Sequence, residues 1–204
     1  YINKIDTIFR TIYKYGAKRC GIMANPFEGV EKIGKARSKS LTFWTYDQYS
    51  AFIKLIENPT THMAFQILYF TGIRIGELFA LTAEDINLAE GVMHITKSLQ
   101  RMERQDVITP PKTEKGIRDI TLPAFLTKEL ENYMAMIYDC NSETRLFGMS
   151  KQSLYYPMKK YAEQAGIPRI RIHDFRHSHV ALLIEKGVSP LAIAERLGHD
   201  SVTV

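Results

Sequence analysis

His173-Asp174-Phe175-Arg176-His177 stands at the head of a helix that the sequence carries on to Gly187. His173 and Arg176 are three residues apart, so they share a face at the start of that helix. A helix N-terminus exposes unsatisfied N–H groups and a partial positive charge, which suits an oxyanion such as phosphate. With His179, the same stretch also brings together histidines and an aspartate, which invites a metal reading. It lacks the glutamate-containing H-E-x-x-H pattern, and no further acidic or cysteine ligand stands out, so no metal is expected.

Three other segments belong with it. Thr71-Gly72-Ile73-Arg74-Ile75-Gly76-Glu77-Leu78 places Arg74 and Glu77 three apart on a predicted helix, where Glu77 can orient Arg74 or a nearby histidine. Pro111-Lys112-Thr113-Glu114-Lys115-Gly116-Ile117-Arg118 carries a lysine next to a predicted strand. Leu197-Gly198-His199 puts a histidine in the turn after a helix-ending glycine. Taken singly, each is an ordinary surface ion pair, loop lysine or turn residue. Taken together they match one chemistry. Metal-free reaction at a phosphodiester needs fixed cations for the non-bridging oxygens, a proton donor for the leaving oxygen, and help for an attacking hydroxyl. Arginine forks hold two phosphate oxygens at once and stay protonated. Arg74, Arg176, Lys112, His173 and His199 fill those needs.

Around these segments the pattern is α+β, mainly α. Ile5, Ile8, Phe9 and Ile12 recur at helical spacing up to about Arg19, and the charged stretch Glu31 to Ser40 reads as a linker. Thr45 and Gln48 have capping-box spacing ahead of Ala51, Phe52, Leu55 and Ile56. Helices follow over about 61–70 and 73–81. Val92 to Leu99, Gln105 to Thr109 and Ile117 to Leu122 read as a small three-stranded antiparallel sheet. Helices resume over about 126–138, from Ser150, from His173, and from Ser189-Pro190 to Gly198. Hydrophobic residues make up 45% of the 204, enough for a core, and no apolar run approaches the roughly 18 residues of a membrane span. The net charge of +5 tilts toward a polyanionic partner. The two cysteines, Cys20 and Cys140, form no zinc or disulfide framework and suit a reducing cytoplasm.

In this order, the four segments resemble the tyrosine site-specific recombinases, the phage integrase family, which includes lambda-type integrases and integrases of conjugative transposons. TGIRIGEL is similar to the first arginine motif, PKTEKGIRDITLP to the hairpin that bears the lysine, HDFRHSHV to the H-x-x-R box, and ERLGH to the final histidine motif. The resemblance implies the DNA breaking-and-rejoining catalytic fold over 42–204, a linker at 31–41, and at 1–30 the last helix and tail of a core-binding domain. It implies that Arg74 and Arg176 bind the scissile phosphate, Lys112 protonates the 5′ leaving oxygen, His173 acts as acid/base, His199 bonds a phosphate oxygen, and Glu77 buttresses the site. The family's nucleophile is a tyrosine some way past the final histidine. Only five residues follow His199, so the tyrosine is expected beyond Val204, and this stretch alone is expected to be inactive for cleavage.

The implied activity is integration or excision of a mobile element through a 3′-phosphotyrosine bond, with no cofactor. Implied partners are double-stranded DNA attachment sites, further copies forming a homotetrameric synapse, and an excisionase or host DNA-bending protein. The competing class is a non-catalytic, recombinase-like DNA-binding protein. A phosphodiesterase with paired histidines leaves the two arginine motifs without a role. Candidate DNA-facing cations are Lys97, Arg101, Arg104, Lys151, Lys159, Lys160, Arg169 and Arg171. The motifs do not separate phage integrase, transposon integrase and chromosome-dimer resolvase, and phosphate contacts carry no sequence information that would name the attachment site.

Overall fold

The computed structural model describes residues 2–22, 25–31, 42–103, 105–111 and 113–198. The chain divides into two units, Tyr1–Ser40 and Leu41–Val204. In the first unit, α1 (Ile2–Cys20) is the helix expected from its apolar spacing, and Gly21 leaves it with a positive φ of 68°. Phe27 packs edge-on against Tyr13 and lies under the Arg10 guanidinium. Ile5, Ile8, Phe9 and Ile12 are exposed within this unit.

The second unit starts with α2 (Tyr46–Ile53), capped as expected by the reciprocal Thr45–Gln48 box. Next comes α3 (Pro59–Thr71), opened by Asn58 and Pro59 and closed by Gly72 in the left-handed region. It is the central helix, with residues buried around its whole circumference, as expected for a helix whose apolar residues lie on all sides. Helix α4 (Ile75–Ala80) follows within three residues, with Arg74 as its N-cap. Beyond the strands come α5 (Ala124–Ala135), α6 (Gln152–Gln164), α7 (Asp174–Glu185) and α8 (Pro190–Leu197). Ser189 caps α8 with Pro190 at its first position, and Gly198 ends it at a φ of 66°.

The strands group differently from the expectation of one sheet built from 92–99, 105–109 and 117–122. A three-stranded antiparallel sheet does form, but in the order β1 (Ile86–Asn87), β2 (Val92–Ile95), β5 (Arg118–Thr121). A separate hairpin joins β3 (Ser98–Met102) to β4 (Gln105–Thr109). The chain leaves the sheet at Thr96-Lys97, where Lys97 Nζ is held by Asp85 (3.0 Å) and Glu84 (3.1 Å). Strand β3 then runs against α4 at Gly76, where a Cβ would come within 2.6 Å of Ser98 Oγ and 2.9 Å of Leu99 O. The missing side chain thus makes room for the hairpin.

The core is aromatic at its centre. Trp44, Phe52, Phe65 and Phe175 form one cluster, and Tyr49 and Tyr69 stack with centroids 3.7 Å apart. Phe175 sits between the two motif residues His173 and Arg176, so burying its ring fixes the start of α7. Two hydrogen bonds tie Trp44 into the same region, from its N–H to Ser178 Oγ and from Nε1 to Pro168 O. Among the described residues no helix is long and apolar enough to cross a membrane.

Candidate active site

The end of α3 sets the first motif. Gly72 turns the chain so tightly against α7 and α8 that a Cβ there would meet His179 Cδ2 at 2.6 Å and Leu197 Cδ2 at 2.9 Å. Two residues on, Arg74 places its backbone N–H on Glu77 Oε2 and its Nη1 on Glu77 Oε1, both at 2.9 Å. The Arg74 side chain is 43% exposed, whereas Glu77 is buried. Arg118, from the start of β5, lays its own fork on the same carboxylate at 2.8 and 3.3 Å. Burial alone would raise the Glu77 pKa. The hydrogen bonds and charge of Arg118, then the hydrogen bonds of Arg74, outweigh it and hold the carboxyl below its ordinary value.

Arg176 is buried beside this cluster. Its Nη1 donates to Gly72 O (2.9 Å) and its Nη2 to Leu197 O (2.6 Å). Burial, then the charges of Arg74 and Arg118, bring its pKa down to about 10, against the favourable charge of Glu77. It stays protonated at neutral pH. Burial is the larger cause, and positive charge adds to it: Arg74 and Arg118 are both paired with the Glu77 carboxylate, and Arg176 lies within reach of all three charges. An anion at the exposed face of Arg74 would offset that positive charge.

His173 precedes α7 as its N-cap residue and is exposed, with its ring edge-on to His177 at 5.7 Å. Partial desolvation, then the charges of His177 and Arg176, lower its pKa, so it is neutral at pH 7 and able to accept a proton. Asp174 beside it is already engaged, by Arg171 at 2.6 and 3.0 Å and by Thr42 at 3.3 Å. His179, one turn on, is buried. Arg196 Nε donates to His179 Nε2 at 3.1 Å, and because arginine only donates, that nitrogen is the acceptor. The ring proton therefore sits on Nδ1 and goes to Tyr69 O at 2.9 Å. Burial first, then Arg196, brings the His179 pKa down to about 3. Arg196 also donates to Phe70 O (3.3 Å) and Thr121 O (3.0 Å), which ties α8 to the end of α3 and to β5. His179 and Arg196 also line a groove of about 540 Å³ whose walls include Tyr46, Phe70 and Phe125; Arg74, His173 and Arg176 lie outside it.

The fold thus brings Arg74, Glu77, His173 and Arg176 together. Glu77 orients Arg74, one of its two anticipated partners, and among the described residues its hydrogen bonds go to arginines rather than to a histidine. Lys112, His199 and Arg104 lie outside the described residues. Among the candidate DNA-facing cations, Arg101, Lys151, Lys159 and Arg169 are exposed, and Lys160 lies over the Tyr161 ring. Lys97 and Arg171 are engaged with acidic neighbours. The sequence reading gave Arg118 and Arg196 no role. A signal for Arg118 was present: strand alternation puts it on the inward face with Ile120 and Leu122, both buried, beside an outward Asp119. An arginine on the inward face of a strand needs a partner.

Residues 42–204 match the phage integrase family. The chain belongs to that family. It is 32% identical to the ICEBs1 integrase of Bacillus subtilis, over 98% of this chain and 58% of that protein. It is 27% identical to the prophage integrase IntR of Escherichia coli, over 98% and 56%. The chain therefore spans a little over half the length of these relatives. A Tn1549 transposon integrase, solved with a circular intermediate DNA, superposes with a TM-score of 0.83 at 21% identity, covering 98% of this chain and 72% of that one. A lambda integrase dimer on a core site gives 0.64 at 18%, also over 98% and 72%. The shared fold is mainly helical with small antiparallel sheets.

Proposed function

We propose that this chain carries the phosphate-binding and acid/base half of a site-specific DNA recombinase that integrates or excises a mobile element. The observation that carries the proposal is the cluster of Arg74, Arg118 and Arg176 around one buried carboxylate, with a neutral His173 at the adjoining helix start. Arg74 and Arg176 bind the non-bridging oxygens of the scissile phosphate and stabilise the charge that grows there. The nucleophile is a tyrosine of the complete protein beyond Val204. Its hydroxyl oxygen attacks phosphorus and its proton passes to His173. The bond to the 5′ oxygen breaks, and Lys112 supplies the proton that oxygen takes up. His199 bonds a phosphate oxygen, and Glu77 holds Arg74 in place. The resulting 3′-phosphotyrosine keeps the bond energy for rejoining, so no cofactor is needed.

Double-stranded DNA as partner is supported by the neighbours solved on DNA and by the chain's positive charge. In the same reading, residues 1–30 are the end of a core-binding domain, 31–41 the linker and 42–204 the catalytic domain. The complete protein works in the cytoplasm as a tetramer on paired sites, with an excisionase or DNA-bending protein as helper. The test uses the complete protein and a suicide substrate bearing its attachment site. A covalent protein–DNA complex is expected there and is lost with Arg176→Ala, while residues 1–204 alone bind DNA without forming it. DNA binding with no covalent complex in the complete protein would instead make it a non-catalytic binder.

A further inference from the structure

Arg118 touches three of the four motif segments at once. Its Nη1 and Nη2 hold the Glu77 carboxylate of the first motif. Its Nη1 also donates to Gly116 O, at the end of the loop that follows Lys112, at 2.9 Å. Its Nε donates to Arg196 O, in the last turn of α8, two residues before Gly198, at 2.9 Å. The side chain is only 6% exposed, so it presents little surface to a ligand. The two backbone segments it joins also meet directly. A Cβ at Gly198 would collide with Lys115 O and come within 3.3 Å of Arg118 Cδ. In sequence, one of these segments is the loop after Lys112 and the other runs straight into His199.

We infer that Arg118 is a positioning residue: it fixes residues 115–116, which follow Lys112 in sequence, against the end of α8 and the Glu77–Arg74 pair, and the work of the leaving-group acid depends on that hold. Three features separate this from generic buried packing. The guanidinium satisfies two main-chain carbonyls in the two segments that flank the acid and the final histidine. One of these, at the end of α8, is left without an intrahelical donor by the helix terminus. The bidentate contact to Glu77 fixes the plane of the fork, so the two carbonyls are held at a set spacing. A lysine at 118 would keep the charge but could not make all of these contacts at once.

The inference rests on the reading of Lys112 as the acid for the 5′ oxygen, and the experiment separates the two. The complete protein is assayed on two suicide substrates that differ at one atom, with the ordinary 5′ oxygen or with a bridging 5′ sulfur. A thiolate leaves without needing a proton, so the sulfur substrate bypasses the acid. Lys112→Ala is expected to lose roughly 10²-fold or more on oxygen, the scale of a general acid, and to recover most of it on sulfur. Arg118→Lys and Arg118→Ala are expected to show the same selective recovery, with duplex-DNA affinity within a few-fold of the unsubstituted protein. A deficit of equal size on both substrates, or no deficit on oxygen, would overturn the positioning role. If Lys112→Ala itself fails to recover on sulfur, the reading of Lys112 fails instead. Should Arg118→Ala not fold, Arg118→Lys is judged by the same criterion, and Arg118→Gln serves as its neutral counterpart.

Discussion

At the scale of single residues, buried polar groups define the site, and they yield two predictions. The Tyr69 hydroxyl is buried with no hydrogen-bond partner among the described residues, although its ring is stacked on Tyr49. A buried, unsatisfied hydroxyl opposes folding, so Tyr69→Phe should leave stability unchanged or raise it by up to about 1 kcal/mol in urea denaturation. His179 gives the pH prediction. Its folded pKa of about 3 lies below the roughly 6.5 of the unfolded chain, so the unfolded state binds the extra proton first on acidification. The stability contribution is complete above about pH 6.5 and declines as pH falls toward 3, by on the order of 1.4 kcal/mol per pH unit. His62 and His173, also lowered, act with the same sign. Denaturation curves at pH 6.5 and 5 should show a smaller loss in His179→Gln than in the unsubstituted chain. The residues proposed to bind phosphate were legible in the sequence because chemistry requires particular residue types: Arg74, His173 and Arg176 could be named from the motifs. Arg118 and Arg196 escaped because, beside their contacts to Glu77 and His179, each works through two main-chain carbonyls, which leave no mark on the sequence of the partner.

Between elements, close approach decides what a substitution does. Gly198 combines a left-handed φ of 66° with the carbonyl of Lys115 where a Cβ would project. Gly198→Ala should therefore cost about 1–2 kcal/mol for the backbone alone, and more because the obstacle is main chain and cannot swing aside. Thermal denaturation measures the first part. Loss of covalent-complex formation out of proportion to the loss of stability would report the displaced loop. By contrast, Gly29, also at positive φ, has no atom of the described residues within 4 Å of its Cβ position, so among them an alanine there meets only the backbone term. Helices were legible at this scale because caps and stops were explicit: Thr45 with Gln48, Ser189 with Pro190, and Gly198 all mark the ends they were read to mark. The grouping of strands was not. Local β-propensity reports that residues 92–99 are extended, but the break at Lys97 comes from Asp85 and Glu84, more than ten residues earlier in the chain, and from the space above Gly76.

For the molecule as a whole, the order of four motifs along 42–204 was enough to give the family, because spacing through a fold is harder to match by chance than any one motif. What the sequence could not convey is how like charges are packed. Arg74, Arg118 and Arg176 are held near one another by the fold, and burial together with those two neighbouring charges brings the Arg176 pKa down to about 10. Folding and anion binding are then linked by mass action: any ligand that binds the folded chain alone stabilises it by RT ln(1 + [L]/Kd). The melting temperature of the chain should therefore rise in millimolar sulfate or phosphate relative to chloride at equal ionic strength, and further with short duplex DNA. In Arg74→Ala the oxyanion increment should shrink, since the exposed fork proposed to meet the ligand is gone. An equal rise in both proteins would assign the effect to general solvation rather than to the cluster. The same linkage has a consequence for turnover: a copy that holds a ligand populates its unfolded state less often, so unliganded copies are the ones that proteases reach first.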